Sequence, residues 1–230
     1  MYGWIVPPPR EPVKSSEEFS QERAAKVQEL LLAGCLRSKI IQQALLKVPR
    51  ENFIPRLYRD CAYLEVPLPL PGERATISCP HSYPLFYEPL GLGRGHIFLE
   101  IGTGSGYGAA VAREVVGAEG QVVSIEIDPT TIEFAQRNLE RAGYDNILLV
   151  NADGGRGYPE KKPFDRIAIT AACKTVPPEL IEQLSPRGRL IAPLQREHIQ
   201  ELVLYKKGPG SLRSKVICEV LYVPLQGVYG

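Results

Sequence analysis

The chain has 230 residues, of which 44% are hydrophobic and 23% charged, and its net charge is +1 at pH 7. That composition describes an ordinary globular chain, long enough to bury a real core. The near-neutral charge excludes the broad basic footprint of a tight nucleic-acid binder and leaves only small patches such as Lys206 and Lys207, which read as solvated turns.

In chain order, residues 1–15 form a proline-rich arm that lies extended on the surface or frays. A stretch of N-terminal helices and a substrate or lid loop follows over residues 16–80. Ser15 and Ser16 precede Glu17 and Glu18, a capped start, so a helix is predicted from about Glu17 to Leu32, stopped by Gly34. A second, from about Ser38 to Lys47, ends at Val48-Pro49, because the residue before proline resists the helical region. From Asn52 to Pro80 prolines and turn residues dominate, and Leu68 to His81 reads as an ordered loop of the kind that closes active sites.

The core, residues 81–230, opens with the most informative segment. Ile97, Phe98, Leu99 and Ile101 suit a buried strand, and Gly102, Gly104 and Gly106 follow at once in the pattern G-T-G-S-G, with Thr103 and Ser105 between them. Without Cβ atoms such a turn can take positive φ and lie against a ligand, while the amides opening the predicted helix Tyr107 to Val116 face it. The next strand, Gln121 to Ile127, carries Glu126 at its end, an acid able to accept both hydroxyls of a ribose. Nicotinamide and flavin enzymes use a similar loop with an acid about 20 residues on. Here the third glycine comes one place early, and 230 residues leave no room for the second domain that dehydrogenases usually add. S-adenosylmethionine is therefore favoured over a dinucleotide.

Beyond that unit come a helix from Thr130 to Ala142, strand Ile147 to Val150, strand Phe164 to Thr170, a helix from Pro177 to Leu184 and strand Arg189 to Leu194. Two last strands, about Gln200 to Lys206 and Lys215 to Val223, flank Gly208-Pro-Gly210 as a hairpin. The predicted fold is α/β and Rossmann-like: seven strands, mostly parallel, with antiparallel strands at the C-terminal side and a helical N-terminal extension. Ligands of such sheets lie at the carboxyl ends of the strands, where the glycine turn, Glu126 with Ile127, and Asp153 fall. Asp153-Gly154 by itself is a turn signal; joined to the other two features it reads as a contact for the adenine.

Cys35, Cys61, Cys79, Cys173 and Cys218 are odd in number and widely spread, and His81, His96 and His198 are scattered, so no metal site is expected. The N-terminal sequence has no long apolar core, and no later run approaches about 18 apolar residues. These features point to a cytoplasmic protein working away from membranes; a monomer is the expectation, although nothing in the sequence fixes the oligomeric state.

The motifs L-x-K-V-P-R-E-x-F (Leu45 to Phe53), A-T-I-S-x-P-H (Ala75 to His81), L-E-I-G-T-G-S-G (Leu99 to Gly106), D-G-x-x-G (Asp153 to Gly157) and Y-V-P-L-x-G-x-Y-G (Tyr222 to Gly230) together resemble the protein-L-isoaspartate (D-aspartate) O-methyltransferase family over about residues 20 to 230. The resemblance implies a class I methyltransferase fold and the transfer of a methyl group from S-adenosylmethionine to the α-carboxylate of L-isoaspartyl residues in aged proteins and peptides. The ester then closes to a succinimide, whose hydrolysis returns some normal aspartate. The family's active-site serine falls on Ser78. Its cofactor contacts fall on Ala75, Thr76, Ile77 and Ser78, on Gly102 to Gly106, on Glu126 with Ile127, and on Asp153 with Gly154, while Tyr83 stands where some members place a histidine near the cofactor.

A carboxylate is already an ionised nucleophile, so positioning carries the rate: its oxygen must sit about 3 Å from the methyl carbon, in line with the departing sulfur. Ser78 then reads as a hydrogen-bond donor orienting the acceptor, since a covalent nucleophile would need an adjacent base; its bland role is to cap the helix near Pro80. Cys79, Ser82, Tyr83, Pro84 and Arg74 depart from the usual family loop, and Pro186-Arg-Gly-Arg189 with Leu194-Gln195 depart from later motifs. All are expected near the acceptor pocket. Arg74, Arg187 and Arg189 gathered there would favour another anionic acceptor, a small acid or RNA. A non-catalytic S-adenosylmethionine-binding adapter is the third reading.

Overall fold

The computed structural model describes residues 6–230; of the proline-rich arm, residues 1–5 lie outside that range. The rest of the arm is tied down: the Arg10 amide donates to the Leu57 carbonyl at 2.9 Å, and the Val13 and Lys14 amides donate to the Asp60 carboxylate at 3.1 and 3.3 Å.

Helix α1 (Ser16–Leu32) begins one residue earlier than predicted. Ser15 accepts from the Glu18 amide while the Glu18 carboxylate accepts from the Ser15 amide, a full capping box. Helix α2 (Lys39–Lys47) starts one residue late, with Ser38 as its cap, and stops at extended Val48 ahead of Pro49. The predicted loop beyond them carries more structure than proline suggests. It holds 3₁₀ turns at Arg50–Phe53 and Arg56–Cys61, then a short antiparallel pair of β1 (Leu68–Pro69) and β2 (Thr76–Ile77). Such short pieces carry no period that a sequence displays.

Helix α3 (Ser82–Leu90) accepts Pro84 in its first turn, where amides have no intrahelical partner, and ends at Gly91 in the left-handed conformation. There follow β3 (Ile97–Ile101), α4 (Tyr107–Val116), β4 (Gln121–Glu126), α5 (Pro129–Arg141), β5 (Leu148–Asn151), β6 (Phe164–Ile169), α6 (Pro178–Glu182), β7 (Leu184–Gln195), β8 (Gln200–Gly208) and β9 (Ser211–Val220). The sheet order is β5-β4-β3-β6-β7-β8-β9; β8 pairs antiparallel with both β7 and β9, and every other pair is parallel. The order reverses between β3 and β6, which opens a crevice above their carboxyl ends.

Four boundaries differ from the predicted ones for a physical reason. Helix α6 ends at Glu182 and β7 starts at Leu184, not Arg189: Leu184 pairs with Phe164, and the next pair is Arg189 with Arg166, so Ser185 to Gly188 loop out of the ladder as a bulge with Arg187 at φ 67°. Strand β4 stops at Glu126, because Asp128 caps α5 by accepting from the Thr131 amide. Strand β9 stops at Val220 rather than Val223, because the chain leaves the edge and crosses the strand ends. There Val223 and Leu225 bond to Ala172 through backbone groups.

Alternation along the strands sorts side chains to two faces. Phe98, Val122, Ala168 and Ile191 join α1 to α4 in one core; Leu99, Val123, Ile167 and Leu190 join Leu180 and Leu225 in the other. The N-terminal helices are thus part of the same packed layer as the glycine-turn helix.

Candidate active site

One cavity of about 720 Å³ lies at the carboxyl ends of β3, β4 and β6, within the size range of small-molecule sites. Its floor is the glycine turn. Gly102 and Gly104 take φ of 95° and 55°, a region that side chains rarely adopt. A Cβ on Gly102 would lie 2.4 Å from the Thr170 hydroxyl, which is itself held by bonds to the Ile101 and Gly102 carbonyls at 3.0 and 2.9 Å. The turn is clamped to β4 by Glu126, whose carboxylate accepts from Gly104 at 3.0 Å, Ile127 at 3.0 Å and Asp128 at 3.2 Å.

Two acids face this cavity from neighbouring strands. Burial pushes Glu126 above its usual range even though three amides bond to it. Glu100, 2% exposed, is pushed up to about 8 by burial, against the hydrogen bond it accepts from Ser124 at 2.7 Å and with the nearby Glu126 charge adding to the rise. A buried acid held short of a cation suits a ligand with a positive group. Asp128 is the exception, kept low by the Thr131 amide.

The roof comes from distant segments. Loop residues 71–75 dock on the start of α5, where the Pro71 carbonyl accepts from the Thr131 hydroxyl at 2.8 Å and the Asp128 carboxylate from the Glu73 amide at 3.3 Å. Ala75, Thr76, Ile77 and Ser78 line the wall above the glycine turn, and residues 218–226 close the opposite side. The Gln226 side chain donates to the Glu73 carbonyl at 3.4 Å, joining tail and loop. Helix α3 begins at Ser82 with no side-chain cap, so the Ser78 hydroxyl is not spent on capping. Behind it the buried Arg50 donates to the Ser78 carbonyl at 2.6 Å. Tyr83 stacks edge-on against Tyr107 at 4.7 Å, with its hydroxyl pushed up to about 12 by burial.

A glycine turn, the acid Glu126 and the Ser78 loop thus line one cavity. Residues 21–229 match the family model for protein-L-isoaspartate(D-aspartate) O-methyltransferase. The chain belongs to that family. It is 43% identical over 226 residues to the protein-L-isoaspartate O-methyltransferase of Hyperthermus butylicus, covering 94% of this chain and 93% of that one, and 40% identical to the Pyrococcus horikoshii enzyme, covering 93% and 97%. A solved protein-L-isoaspartate O-methyltransferase superposes with a TM-score of 0.84 at 36% identity, over 90% of this chain and 67% of that one. The fold is also that of a Plasmodium falciparum structure solved with S-adenosyl-L-homocysteine, with a TM-score of 0.79 at 22% identity over 89% and 98% of the two chains. The reaction of the family is methyl transfer from S-adenosylmethionine to isoaspartyl residues in protein repair.

Of the site residues that this family resemblance singled out, the structure brings twelve into the cavity wall: Ala75, Thr76, Ile77, Ser78, Tyr83, Gly102, Thr103, Gly104, Ser105, Glu126, Ile127 and Gly154. Two are not in that wall. Gly106 caps α4 at φ 84°, where a Cβ would sit 3.0 Å from Leu139, so it serves the packing of α4 on α5. The Asp153 carboxylate is occupied by the Gly155 and Val228 amides, both at 2.9 Å, and ties the C-terminal tail to the end of β5. Arg187 and Arg189 do not join Arg74. Arg189 bonds the Pro89 and Leu90 carbonyls at the far end of the sheet, and neither Pro186 to Arg189 nor Leu194 with Gln195 lines the cavity. Pro186 to Arg189 lie at the start of β7, the end of the sheet away from the crevice, whereas Leu194 and Gln195 reach its carboxyl end but one strand beyond β6, where Leu194 pairs with Cys173.

Local pattern misses Glu100, whose place before the glycine turn is its only signal, and the tail residues Cys218 to Gln226, which it shows as strand up to Val223 and as part of the Tyr222 to Gly230 motif but not as a wall of the site. It also leaves His81 isolated. Tertiary packing sets His81 Nδ1 at 2.6 Å from the Glu65 carboxylate, beside Cys79, with potential ligand atoms within 4.8 Å of one another. Lys26 stands 3.4 Å from the same Glu65, so a cation already serves that carboxylate.

Proposed function

We propose that the chain carries out its family's reaction with the glycine turn and Glu126 holding the cofactor and Ser78 holding the acceptor carboxylate, the two meeting inside one cavity. The observation that carries this reading is that the Ser78 loop and the glycine turn, 24 or more residues apart in sequence, line the same space. The residues fit the group. Positive-φ glycines leave bare backbone, Glu126 offers a carboxylate at the cavity wall that would accept ribose hydroxyls, with Ile127 beside it, Gly154 would let a ring approach the backbone, and Glu100 suits the ammonium of the amino-acid part.

When bound, S-adenosylmethionine supplies a methyl group already activated on a positively charged sulfur. The chain's part is to place and to dry. Ser78 donates a hydrogen bond that orients the acceptor carboxylate, which needs no base because it is already ionised. Phe86, Tyr87, Val220 and Tyr222 give the cavity apolar walls, and a site without water penalises separated opposite charges more than the neutralising transition state. The loop at residues 71–75, pinned to α5 and to Gln226, forms part of the roof over that space.

An anionic acceptor other than isoaspartate loses its support, since Arg187 and Arg189 stand elsewhere. The chain works as a cytoplasmic monomer on proteins rather than nucleic acid or membrane. Its support is a cavity complete within one chain, five free thiols and a net charge of +1. Purified protein given labelled S-adenosylmethionine is expected to label an isoaspartyl peptide and not its aspartyl twin. Equal labelling of both peptides removes the substrate assignment, and tight cofactor binding with labelling of neither selects the adapter.

A further inference from the structure

Arg50 is among the largest fully buried side chains of the molecule, 1% exposed, and none of the described carboxylates pairs with it. Its neighbour Glu51 is committed to Arg23 at 2.6 Å and to the Tyr63 hydroxyl at 2.5 Å. A guanidinium taken out of water without a counter-charge is costly, so its setting shows what it is kept for. Nε donates to the Ala62 carbonyl and Nη2 to the Ser78 carbonyl, both at 2.6 Å. Its carbon lies 5.6 Å from the centre of the Tyr83 ring and 5.3 Å from that of Tyr107, two rings that pack edge-to-face. Tyr107 is the first residue of α4, directly after the glycine turn.

One planar cation therefore joins the backbone of the serine loop to the helix that begins at the cofactor turn. Carbonyl acceptors and two aromatic faces are the surroundings that a guanidinium tolerates and an ammonium does not replace, because only the flat fork can bond in two directions while stacking. From this geometry we infer that Arg50 is a positioning residue for methyl transfer: it fixes the Ser78 carbonyl, and with it the height of the Ser78 hydroxyl, relative to the glycine turn. The inference rests on the reading of Ser78 given above. In-line transfer tolerates little misplacement, so the expected signature is a loss in kcat with cofactor binding retained.

A double-mutant cycle separates this role from a merely structural one. Ser78→Ala is expected to lower kcat on an isoaspartyl peptide about 100-fold. Arg50→Lys is expected to lower it about tenfold in the wild-type background and less than about twofold in the Ser78→Ala background, with the Kd for S-adenosylhomocysteine within about twofold throughout. Equal Arg50→Lys losses in both backgrounds, or a parallel loss of S-adenosylhomocysteine affinity, overturns the inference and leaves Ser78 standing. No loss in Ser78→Ala overturns the Ser78 reading and this inference with it. If Arg50→Lys does not fold, the unaltered protein decides: the Arg50 Nε–H resonance, shifted by its two rings, should move when an isoaspartyl peptide joins the S-adenosylhomocysteine complex and stay still with the aspartyl twin. A resonance that ignores both peptides overturns the assignment.

Discussion

The two halves of the cavity are built differently. Under the proposed roles, the cofactor side comes, Gly154 apart, from one continuous stretch, β3 through β4, where the strand, the glycine turn, the helix and Glu126 follow one another within residues 97–126 and the turn is held by the Ile125 carbonyl and the Glu126 carboxylate. The acceptor side is assembled from the Ser78 loop, α3 and residues 218–226, with Arg50 behind and the Glu73–Gln226 contact across the top. The two sides differ in tolerance. A turn with its backbone in a left-handed conformation has few substitutes, whereas a pocket made of side chains from three places can vary; of the loop positions expected to differ there, Cys79 and Tyr83 line the cavity and Pro84 does not.

Variants confined to the cofactor side test this contrast. The largest effect is expected from Gly102→Val, because its Cβ must meet the pinned Thr170 hydroxyl at 2.4 Å on a backbone at φ 95°. Calorimetry with S-adenosylhomocysteine should show affinity falling at least about 100-fold, about 2.7 kcal/mol. Unchanged affinity would mean that the turn is not where the ligand lies.

Glu126→Gln should cost less. It leaves an acceptor oxygen but loses the charge-assisted bonds, worth about 1.5–3 kcal/mol for charged partners, so the same titration should show about a tenfold loss. The KM for isoaspartyl peptide at saturating cofactor should hold steady; a rise there instead would blur the division between the halves.

The smallest effect concerns pH. Glu100 in the folded chain sits at about 8, above its reference value of 4.5. The folded state therefore keeps a proton that the unfolded chain releases, and the stability this provides is full below the reference value and lost as pH rises through about 8. Between about pH 6 and about pH 9 the Tm of Glu100→Gln should fall by a few degrees less than that of the wild type, at about 2–4 °C per kcal/mol for a chain of this size. Parallel Tm curves would show that Glu100 ionises in its ordinary range and that burial does not hold its proton.

Much of the fold is legible along the chain because its signals are local. The capping box at Ser15 and Glu18, the Val48-Pro49 stop, the apolar runs of β3 and β6 and the Pro209-Gly210 hairpin each operate over a few residues. Where local rules fail, a tertiary constraint replaces them. The Ser185 to Gly188 bulge reads as a gap between helix and strand although β7 continues through it. Val220, Leu221, Tyr222 and Val223 form one apolar run with no internal stop, yet the ladder ends at Val220 because the backbone around Ala172 captures Val223 and Leu225. The same limit governs the site. Of the Asp153-Gly154 pair, Gly154 lines the cavity while the Asp153 carboxylate, outside that wall, accepts from the Gly155 and Val228 amides.

The α/β fold, the glycine turn with its acid, and the family can all be read from the order of residues, because each is written in neighbouring positions or in motifs kept whole. What shares a cavity with that turn is settled by packing: Ser78 and the tail from Cys218 to Gln226 inside it, the Asp153 carboxylate, Arg187 and Arg189 outside it, and Arg50 buried behind. Direction and burial belong to the packed chain, and nothing in the identity of an arginine or an aspartate says which way it will point.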